Sequence, residues 1–304
     1  MKKFLPVLLF CLISCNTCNK KESKTLQEET IKNKITPEEL SYFIEAYPDI
    51  TFTSTYDQSK DDYKIEIKMP DAEEAEVLYW CEGRLLPEEE LVNKDMYWKV
   101  LYDYPKEILD PEDMTEEQKE QLKAMSSSQS RRKGPGSPMF IFDIIYNSKS
   151  QKAIEPLIKN TTFLKRRTRI HKRIETPLKN VENKIIELSK KDEEVKKFYD
   201  GLKSSDAYYW RLIDGTNRKS FHSLGVAIDV IPKRITGEIF WSWAKDHNPS
   251  GWMVLPLSKR WIPPLKVISI FESEGFIWGG KWAIWDNMHF EYHPELILYN
   301  GIKQ

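Results

Sequence analysis

The segment Ser220–Val230 constrains the fold most, because its residues suit a turn followed by a strand. Gly225 and the alternating β-branched residues that follow it disfavour one continuous helix. On such a strand, valine and isoleucine face the core, whereas Ala227 and Asp229 face the opposite side. The small Ala227 leaves space beside the Asp229 carboxylate. The turn can return the His222 imidazole to the same place.

A second segment near the C-terminus has the pattern of an amphipathic strand. In Trp285–His293, apolar side chains alternate with ionisable ones, of which His289 is the first. Asp286 lies three residues before His289, and this odd offset points two side chains of a straight strand apart. If both act on one metal ion, a turn or bulge is needed at Asn287.

Two histidines and a carboxylate suit a catalytic zinc site, which takes three protein ligands and leaves one position open for water. His222, Asp229 and His289 supply this set. His293 follows His289 by four residues, so a helical histidine pair is an alternative metal site. The strand alternation and the proline after His293 argue against that helix.

The order of these residues resembles a known family. Ser-x-His-x-x-Gly-x-Ala-x-Asp, followed by a carboxylate three residues before a histidine, is similar to the VanY-type D-alanyl-D-alanine carboxypeptidases and their L-alanyl-D-glutamate endopeptidase relatives. The resemblance runs from about residue 139 to 298. It implies one zinc ion bound by His222, Asp229 and His289, with Asp286 as general base and acid. Aspartate at the position of Asp286 is more typical of the endopeptidase branch. The resemblance therefore leaves open which bond is cleaved.

The family also implies an arginine, upstream of the first histidine, that binds the substrate carboxylate. Arg211 follows three aromatic residues, which predict a walled groove, whereas Arg218 is expected on a loop surface. An ion pair within the protein is the alternative role for Arg211. We expect Ser220 to steady the loop or a ligand. Glu291 is expected either to support His289 or to face solvent.

Other segments carry weaker signals. His171 and His247 lie in charged stretches and are expected to be exposed. The basic run Phe163–Arg173 predicts an exposed helix face, with docking to anionic wall polymers as the alternative. Trp278–Trp282 contains two glycines and predicts either a flexible lip over the groove or a plain hairpin turn.

The N-terminus has the plan of a bacterial lipoprotein signal. A basic start and a short apolar run fill residues 1–14, and the run is too short to span a membrane. Cys15 then stands where a lipobox cysteine is acylated; an ordinary signal peptide with an incidental cysteine is the alternative. We therefore expect a lipid-anchored protein of the cell envelope, periplasmic or extracytoplasmic.

Charge and cysteine content narrow the class further. Removing residues 1–14 takes away Lys2 and Lys3, so the formal charge moves from −1 to −3. This near balance argues against nucleic acid as a partner. Cys18 and Cys81 are too few for a disulfide scaffold in a chain of this length.

We predict an α+β fold in which a small, mainly antiparallel sheet carries the zinc site and helices pack on it. The family resemblance implies the hedgehog/DD-peptidase-like version of this fold. The predicted parts are a signal peptide at 1–14, a lipid-anchor tether at 15–34, an α+β accessory region at 35–125, a linker at 126–138 and a zinc metallopeptidase domain at 139–304. The accessory region should contain a hairpin of two strands, a strand pair within 76–86 and a capped helix from Thr115.

The expected function is zinc-dependent hydrolysis, by metal-activated water, of peptide bonds next to D-amino acids in peptidoglycan stem peptides. A non-catalytic wall-binding lipoprotein with a structural zinc is the alternative from another class. A metal-dependent hydrolase of another small amide or ester is a third.

Overall fold

Helices and short antiparallel strands alternate along the chain in the computed structural model, which describes residues 37–213 and 215–302. This mixture confirms the predicted α+β class. The predicted signal peptide, Cys15, Cys18 and the tether lie outside the described residues. The α-helices are α1 (Leu40–Ala46), α2 (Glu116–Met125), α3 (Ser128–Lys133), α4 (Phe140–Ile145), α5 (Gln151–Ile154), α6 (Glu175–Ser189), α7 (Glu193–Gly201), α8 (Trp241–His247), α9 (Leu265–Glu272) and α10 (Pro294–Tyr299). The strands are β1 (Thr51–Asp57), β2 (Asp62–Lys68), β3 (Glu76–Tyr79), β4 (Ile158–Phe163), β5 (Arg166–His171), β6 (Leu202–Asp206), β7 (Ala227–Pro232), β8 (Phe276–Trp278) and β9 (His289–Tyr292).

The N-terminal part contains the predicted hairpin of β1 and β2, and β3 pairs with the other edge of β2. Ile65 and Ile67 face the core from β2, as the alternation of this strand indicated. The strand pair predicted within 76–86 is shorter than expected. After β3 the chain forms a 3₁₀ turn over Cys81–Gly83, and a single bridge joins Tyr79 to Leu86. Cys81 is a buried free thiol.

The capped helix predicted at Thr115 is present as α2. The Thr115 hydroxyl accepts from the Gln118 N–H, and the Gln118 side chain accepts from the Thr115 N–H, which forms a complete capping box. The segment 126–138, predicted as a linker, contains the short helix α3. Within α3, the Arg131 carbonyl accepts a hydrogen bond from the side chain of Arg218.

The central sheet has the order β6-β7-β9-β8, and every neighbouring pair is antiparallel. Helix α9 packs on β8 and on α6, so apolar helix faces cover one side of the sheet. The basic run 163–173 is not a helix, contrary to our expectation. Instead β4 and β5 form a hairpin whose two-residue turn, Leu164 and Lys165, adopts positive φ. Phe163 and Ile170 are buried beneath it, and this tertiary burial selects strands over helix.

One hydrophobic core contains residues from both ends of the described chain. Leu40 and Phe43 of α1 pack in the same cluster as Ile297 of α10, and the described residues belong to one compact unit. The division into accessory region, linker and peptidase domain stays a prediction from sequence; the two larger parts share this core. Within 37–213 and 215–302, no helix is long and apolar enough to cross a membrane.

Candidate metal centre

His222 is held on a short turn that ends at a glycine. The Ser220 hydroxyl accepts from the His222 N–H at 3.3 Å, and the Gly225 N–H donates to the His222 carbonyl at 3.0 Å. Gly225 adopts φ +67°, a left-handed conformation that glycine takes without steric cost. The chain then enters β7, as Ser220–Val230 predicted. Ser220 therefore contacts the backbone of the turn.

Asp229 and His289 lie directly opposite each other on the adjacent strands β7 and β9. The Asp229 Oδ1 atom lies 2.8 Å from His289 Nδ1, and Asp229 Oδ2 lies 3.3 Å from His222 Nε2. The two imidazole nitrogens are 3.2 Å apart. The three residues predicted as ligands thus form a group that could hold a metal ion.

The second nitrogen of each imidazole ring contacts an acceptor. His222 Nδ1 lies 2.5 Å from the Ala207 carbonyl, and His289 Nε2 lies 2.8 Å from Glu291 Oε1. A proton on each of these nitrogens leaves lone pairs on His222 Nε2 and His289 Nδ1, the two atoms that face Asp229. Such acceptors commonly fix the tautomer of metal-binding histidines. Glu291 is therefore buried against His289, rather than facing solvent.

These residues fit a zinc ion. Ligand atoms bound tetrahedrally at about 2.0–2.1 Å from zinc lie about 3.3 Å from one another. Two of the three separations, 3.2 and 3.3 Å, are close to that value, and the third is 2.8 Å. The carboxylates of Asp229 and Glu291 raise the pKa of His289 although burial alone would lower it. The cluster therefore favours a positive charge at this point, which a cation supplies.

Asp286 lies beside this cluster because the chain turns at Asn287 before β9. The His289 N–H approaches the Asp286 carbonyl at 3.3 Å, which closes the turn, and the Asp286 N–H donates to Gly279 at 3.0 Å. The Asp286 Oδ1 atom is enclosed and has no hydrogen-bond partner within the described residues. Burial raises the pKa of Asp286 to about 7, and the charges of all three candidate ligands also act on it. The turn predicted from the odd offset is present.

A groove of about 890 Å³ opens beside His222 and Asp229. Hairpin β4–β5 forms one wall, and the segment 206–211 after β6 forms the other. The exposed Arg211 lines this groove. Its backbone is fixed, since its N–H donates to Ser223 Oγ at 2.9 Å and its carbonyl accepts from the same hydroxyl at 2.7 Å. Among the described residues Arg211 forms no ion pair, and its Nη1 donates to the neighbouring Leu212 carbonyl at 3.5 Å.

Arg218 lies on a loop, as predicted, but it is half-buried and its guanidinium is bound by backbone carbonyls. Its Nη1 donates to the Pro135 carbonyl at 2.8 Å, and its Nη2 donates to the Arg131 carbonyl at 2.7 Å. The Arg131 guanidinium in turn lies 3.6 Å from the centre of the Trp241 ring. Arg218 therefore connects the predicted linker to the loop that precedes His222.

The remaining histidines, His171, His247 and His293, lie in different environments. His247 is exposed and pairs with Glu238, as expected from its charged surroundings. His171 is buried, so its predicted exposure is wrong; it occupies an inward position of β5, and its ring contacts Tyr146 edge-on. His293 lies on no helix with His289, and its two nitrogens contact carboxylates.

The Trp278–Trp282 segment is a packed turn and not a lip. It forms a buried 3₁₀ turn at Gly279–Lys281, and a Cβ atom at Gly280 would lie only 2.1 Å from the Trp278 ring. The Trp278 indole N–H donates to the Asn287 carbonyl at 2.9 Å. This turn therefore supports the backbone around Asp286.

The buried partners of Glu291 were missed by sequence reasoning. Glu291 Oε2 lies 3.2 Å from His293 Nε2, and His293 Nδ1 lies 2.7 Å from Glu295 Oε1. Burial alone would lower the pKa of His293, but the carboxylates of Glu291 and Glu295 raise it to about 9. The alternation of His289, Glu291 and His293 was the available signal. What it did not indicate is that this ionisable face is buried.

Comparison with known proteins shows which family the segment that carries this site is similar to. A sequence model of the D-alanyl-D-alanine carboxypeptidase family matches residues 214–292, which contain His222, Asp229, Asp286 and His289. The predicted resemblance to the VanY-type peptidase family is therefore confirmed for this part of the chain. A second model, of a domain family of unknown function, matches residues 39–102.

One curated relative is the peptidoglycan L-alanyl-D-glutamate endopeptidase CwlK of Bacillus subtilis (strain 168). It is 34% identical over 77 residues, which are 25% of this chain and 41% of the relative. The match thus spans about two fifths of the relative's length. No solved structure matches this chain significantly.

Proposed function

We propose that this chain is a zinc-dependent peptidase that hydrolyses peptide bonds next to D-amino acids in peptidoglycan stem peptides. One observation carries the proposal. The ligand atoms of His222, Asp229 and His289 converge at one point, beside a buried Asp286 oxygen that has no partner among the described residues, at the edge of an open groove. The family match and the endopeptidase relative supply the substrate class.

Zinc held by His222, Asp229 and His289 would polarise the scissile carbonyl and make water a better nucleophile. Asp286 takes the proton of the attacking water and passes it to the leaving amine. Its pKa, raised by burial to about 7, suits a general base near neutral pH, whereas an ordinary aspartate is too acidic. The unpartnered Oδ1 atom is the acceptor available for that proton.

Arg211 is the proposed contact for a substrate carboxylate. It lies in the same groove as two of the ligands, and a guanidinium binds a carboxylate through two parallel hydrogen bonds. A free terminal carboxylate in this place corresponds to carboxypeptidase activity, and an internal D-glutamate carboxylate to endopeptidase activity. We further propose that Cys15 carries a lipid that anchors the mature chain in the cell envelope.

The test pairs zinc content with cleavage of defined muropeptides, for the soluble mature chain and for Asp286→Ala. We expect one zinc per chain in both proteins, product release by the parent, and a loss of roughly 10²–10⁴-fold in the variant. Mass spectrometry of the products then identifies the bond cleaved. Zinc bound by the parent without cleavage of any wall fragment would favour the wall-binding lipoprotein instead.

A further inference from the structure

The support of the metal centre continues beyond Glu291 into the N-terminal part of the chain. His289, Glu291, His293 and Glu295 contact one another in this order and form a buried series. At its end, Glu295 Oε2 accepts from the Tyr47 hydroxyl at 2.8 Å. Tyr146 lies 3.2 Å from the same hydroxyl. Every member from His289 to Tyr47 is at least nine-tenths buried, and Glu295 is fully buried.

The side chains of this series are surrounded by protein and not by solvent. The His293 ring lies edge-on to Phe142 and Phe221, with ring centres 5.2 and 4.7 Å away. A buried carboxylate that loses a donor cannot recover it from water, so each contact constrains the next. Contacts thus connect Glu291, and through it the ring of His289, to a hydroxyl 242 residues before that histidine.

A second tyrosine from the N-terminal part supports the other half of the site. The Tyr104 hydroxyl donates to Glu272 Oε1 at 2.7 Å and accepts from the Trp278 N–H at 2.8 Å. Lys281 donates to the same Glu272 oxygen at 2.7 Å. These contacts fix both ends of the Trp278–Lys281 turn.

That turn holds the backbone at Asp286 and at Asn287, the residue after it. The Gly279 carbonyl accepts from the Asp286 N–H, and the Trp278 indole donates to the Asn287 carbonyl. Tyr104 therefore acts on the proposed general base, whereas Tyr47 acts on a proposed metal ligand. Tyr47 falls within the stretch matched by the domain family of unknown function, and Tyr104 lies two residues beyond its end.

We propose that the N-terminal region is part of the support of the metal centre, with Tyr47 positioning His289 and Tyr104 positioning Asp286. Neither tyrosine touches substrate or metal, so both are positioning residues. The inference rests on the proposed zinc site. It predicts that the two tyrosines affect different properties, because they support different members of the site.

The primary test measures zinc affinity by chelator competition, together with the visible spectrum of the cobalt-substituted full-length mature chain. Tyr47→Phe should weaken zinc binding, by less than the roughly tenfold expected when a direct contact to a ligand is lost, because three residues separate Tyr47 from His289. It should also change the cobalt spectrum. Tyr42→Phe is the matched control, since Tyr42 lies on α1 near Tyr47 and packs edge-on against Tyr299. This control should keep the parental affinity and spectrum.

The second arm uses Tyr104→Phe, which should keep the parental zinc affinity and lower the rate of muropeptide cleavage by roughly tenfold. Should Tyr47→Phe fail to fold, Glu295→Gln keeps the shape of the series and should weaken zinc binding in its place. Folded Tyr47→Phe and Tyr104→Phe variants with parental affinity, spectrum and rate would overturn the inference. A parent chain that binds no zinc would instead refute the proposed function.

Discussion

The two imidazoles approach Asp229 through different ring nitrogens. His222 uses Nε2, because its Nδ1 faces the Ala207 carbonyl; His289 uses Nδ1, because its Nε2 faces Glu291. His289 is also the direct strand partner of Asp229, and its Nδ1 is the nitrogen nearer the backbone. The contacts to the Ala207 carbonyl and to Glu291 therefore favour the tautomers in which His222 Nε2 and His289 Nδ1 would bind a metal.

Arg211 gives a prediction that separates substrate binding from chemistry. Arg211→Ala should lower kcat/KM for a peptide with a free carboxylate by roughly tenfold or more, since a charged hydrogen bond is lost. The same peptide with that carboxylate amidated should be cleaved equally by parent and variant. Arg234→Ala, an exposed arginine outside the groove, is the control. An equal loss on both peptides would contradict this role.

His171 predicts a stability that depends on pH. Its Nδ1 accepts from the Arg173 N–H at 3.1 Å, its Nε2 is buried without a partner among the described residues, and burial lowers its pKa to about 3. Between that value and about 6.5 the unfolded chain binds more protons than the folded one. Stability attributable to His171 is therefore complete above pH 6.5 and falls as the pH drops towards 3.

The loss from His171 at pH 5 should be about 2 kcal/mol relative to neutral pH. His171→Asn keeps an acceptor near the Arg173 N–H and removes the titrating ring. Urea unfolding at pH 7 and pH 5 should therefore show a smaller decrease in stability for the variant than for the parent. The same decrease in both proteins would show that His171 does not control this pH dependence.

At the scale of elements, the turn from His222 into β7 depends on Gly225. A Cβ atom there would lie 2.8 Å from the His171 backbone nitrogen and from Ile158 Cδ1, in addition to the cost of positive φ. Gly225→Ala should thus lower the free energy of unfolding by more than about 1–2 kcal/mol and weaken zinc binding through His222.

Gly301→Ala is the matched control for this turn, because Gly301 has φ +61° and open space around its Cα. It shares the backbone cost without the collision. Urea unfolding and zinc affinity should show a larger loss for Gly225→Ala than for Gly301→Ala. Equal losses would mean that the close packing around Gly225 does not position His222.

Local patterns were sufficient for the elements that carry the site. The turn and strand at Ser220–Val230, the turn at Asn287 and the alternation of β9 all depend on neighbouring residues. The hairpin β4–β5 was predicted as a helix because its many basic residues obscure the strand pattern, in which Thr168 and Ile170 face inward. Burial by other elements decided that segment, and local propensity did not.

At the scale of the whole molecule, the contacts that the sequence could not indicate are those between distant residues. Tyr47 and Glu295 are 248 positions apart, and neither belongs to a motif. The N-terminal region displayed no chemistry of its own because its contribution consists of hydroxyls donated to carboxylates elsewhere. Its shared core with α10 is the structural reason for this dependence.

The most direct test of the central claim is a crystal structure of the zinc-loaded chain with anomalous data collected at the zinc edge. We predict one strong anomalous peak within about 2.0–2.2 Å of His222 Nε2, an Asp229 carboxylate oxygen and His289 Nδ1. Asp286 should lie beside it without binding the ion directly. An ordered triad with no peak, or a peak bound by other residues, would contradict the account.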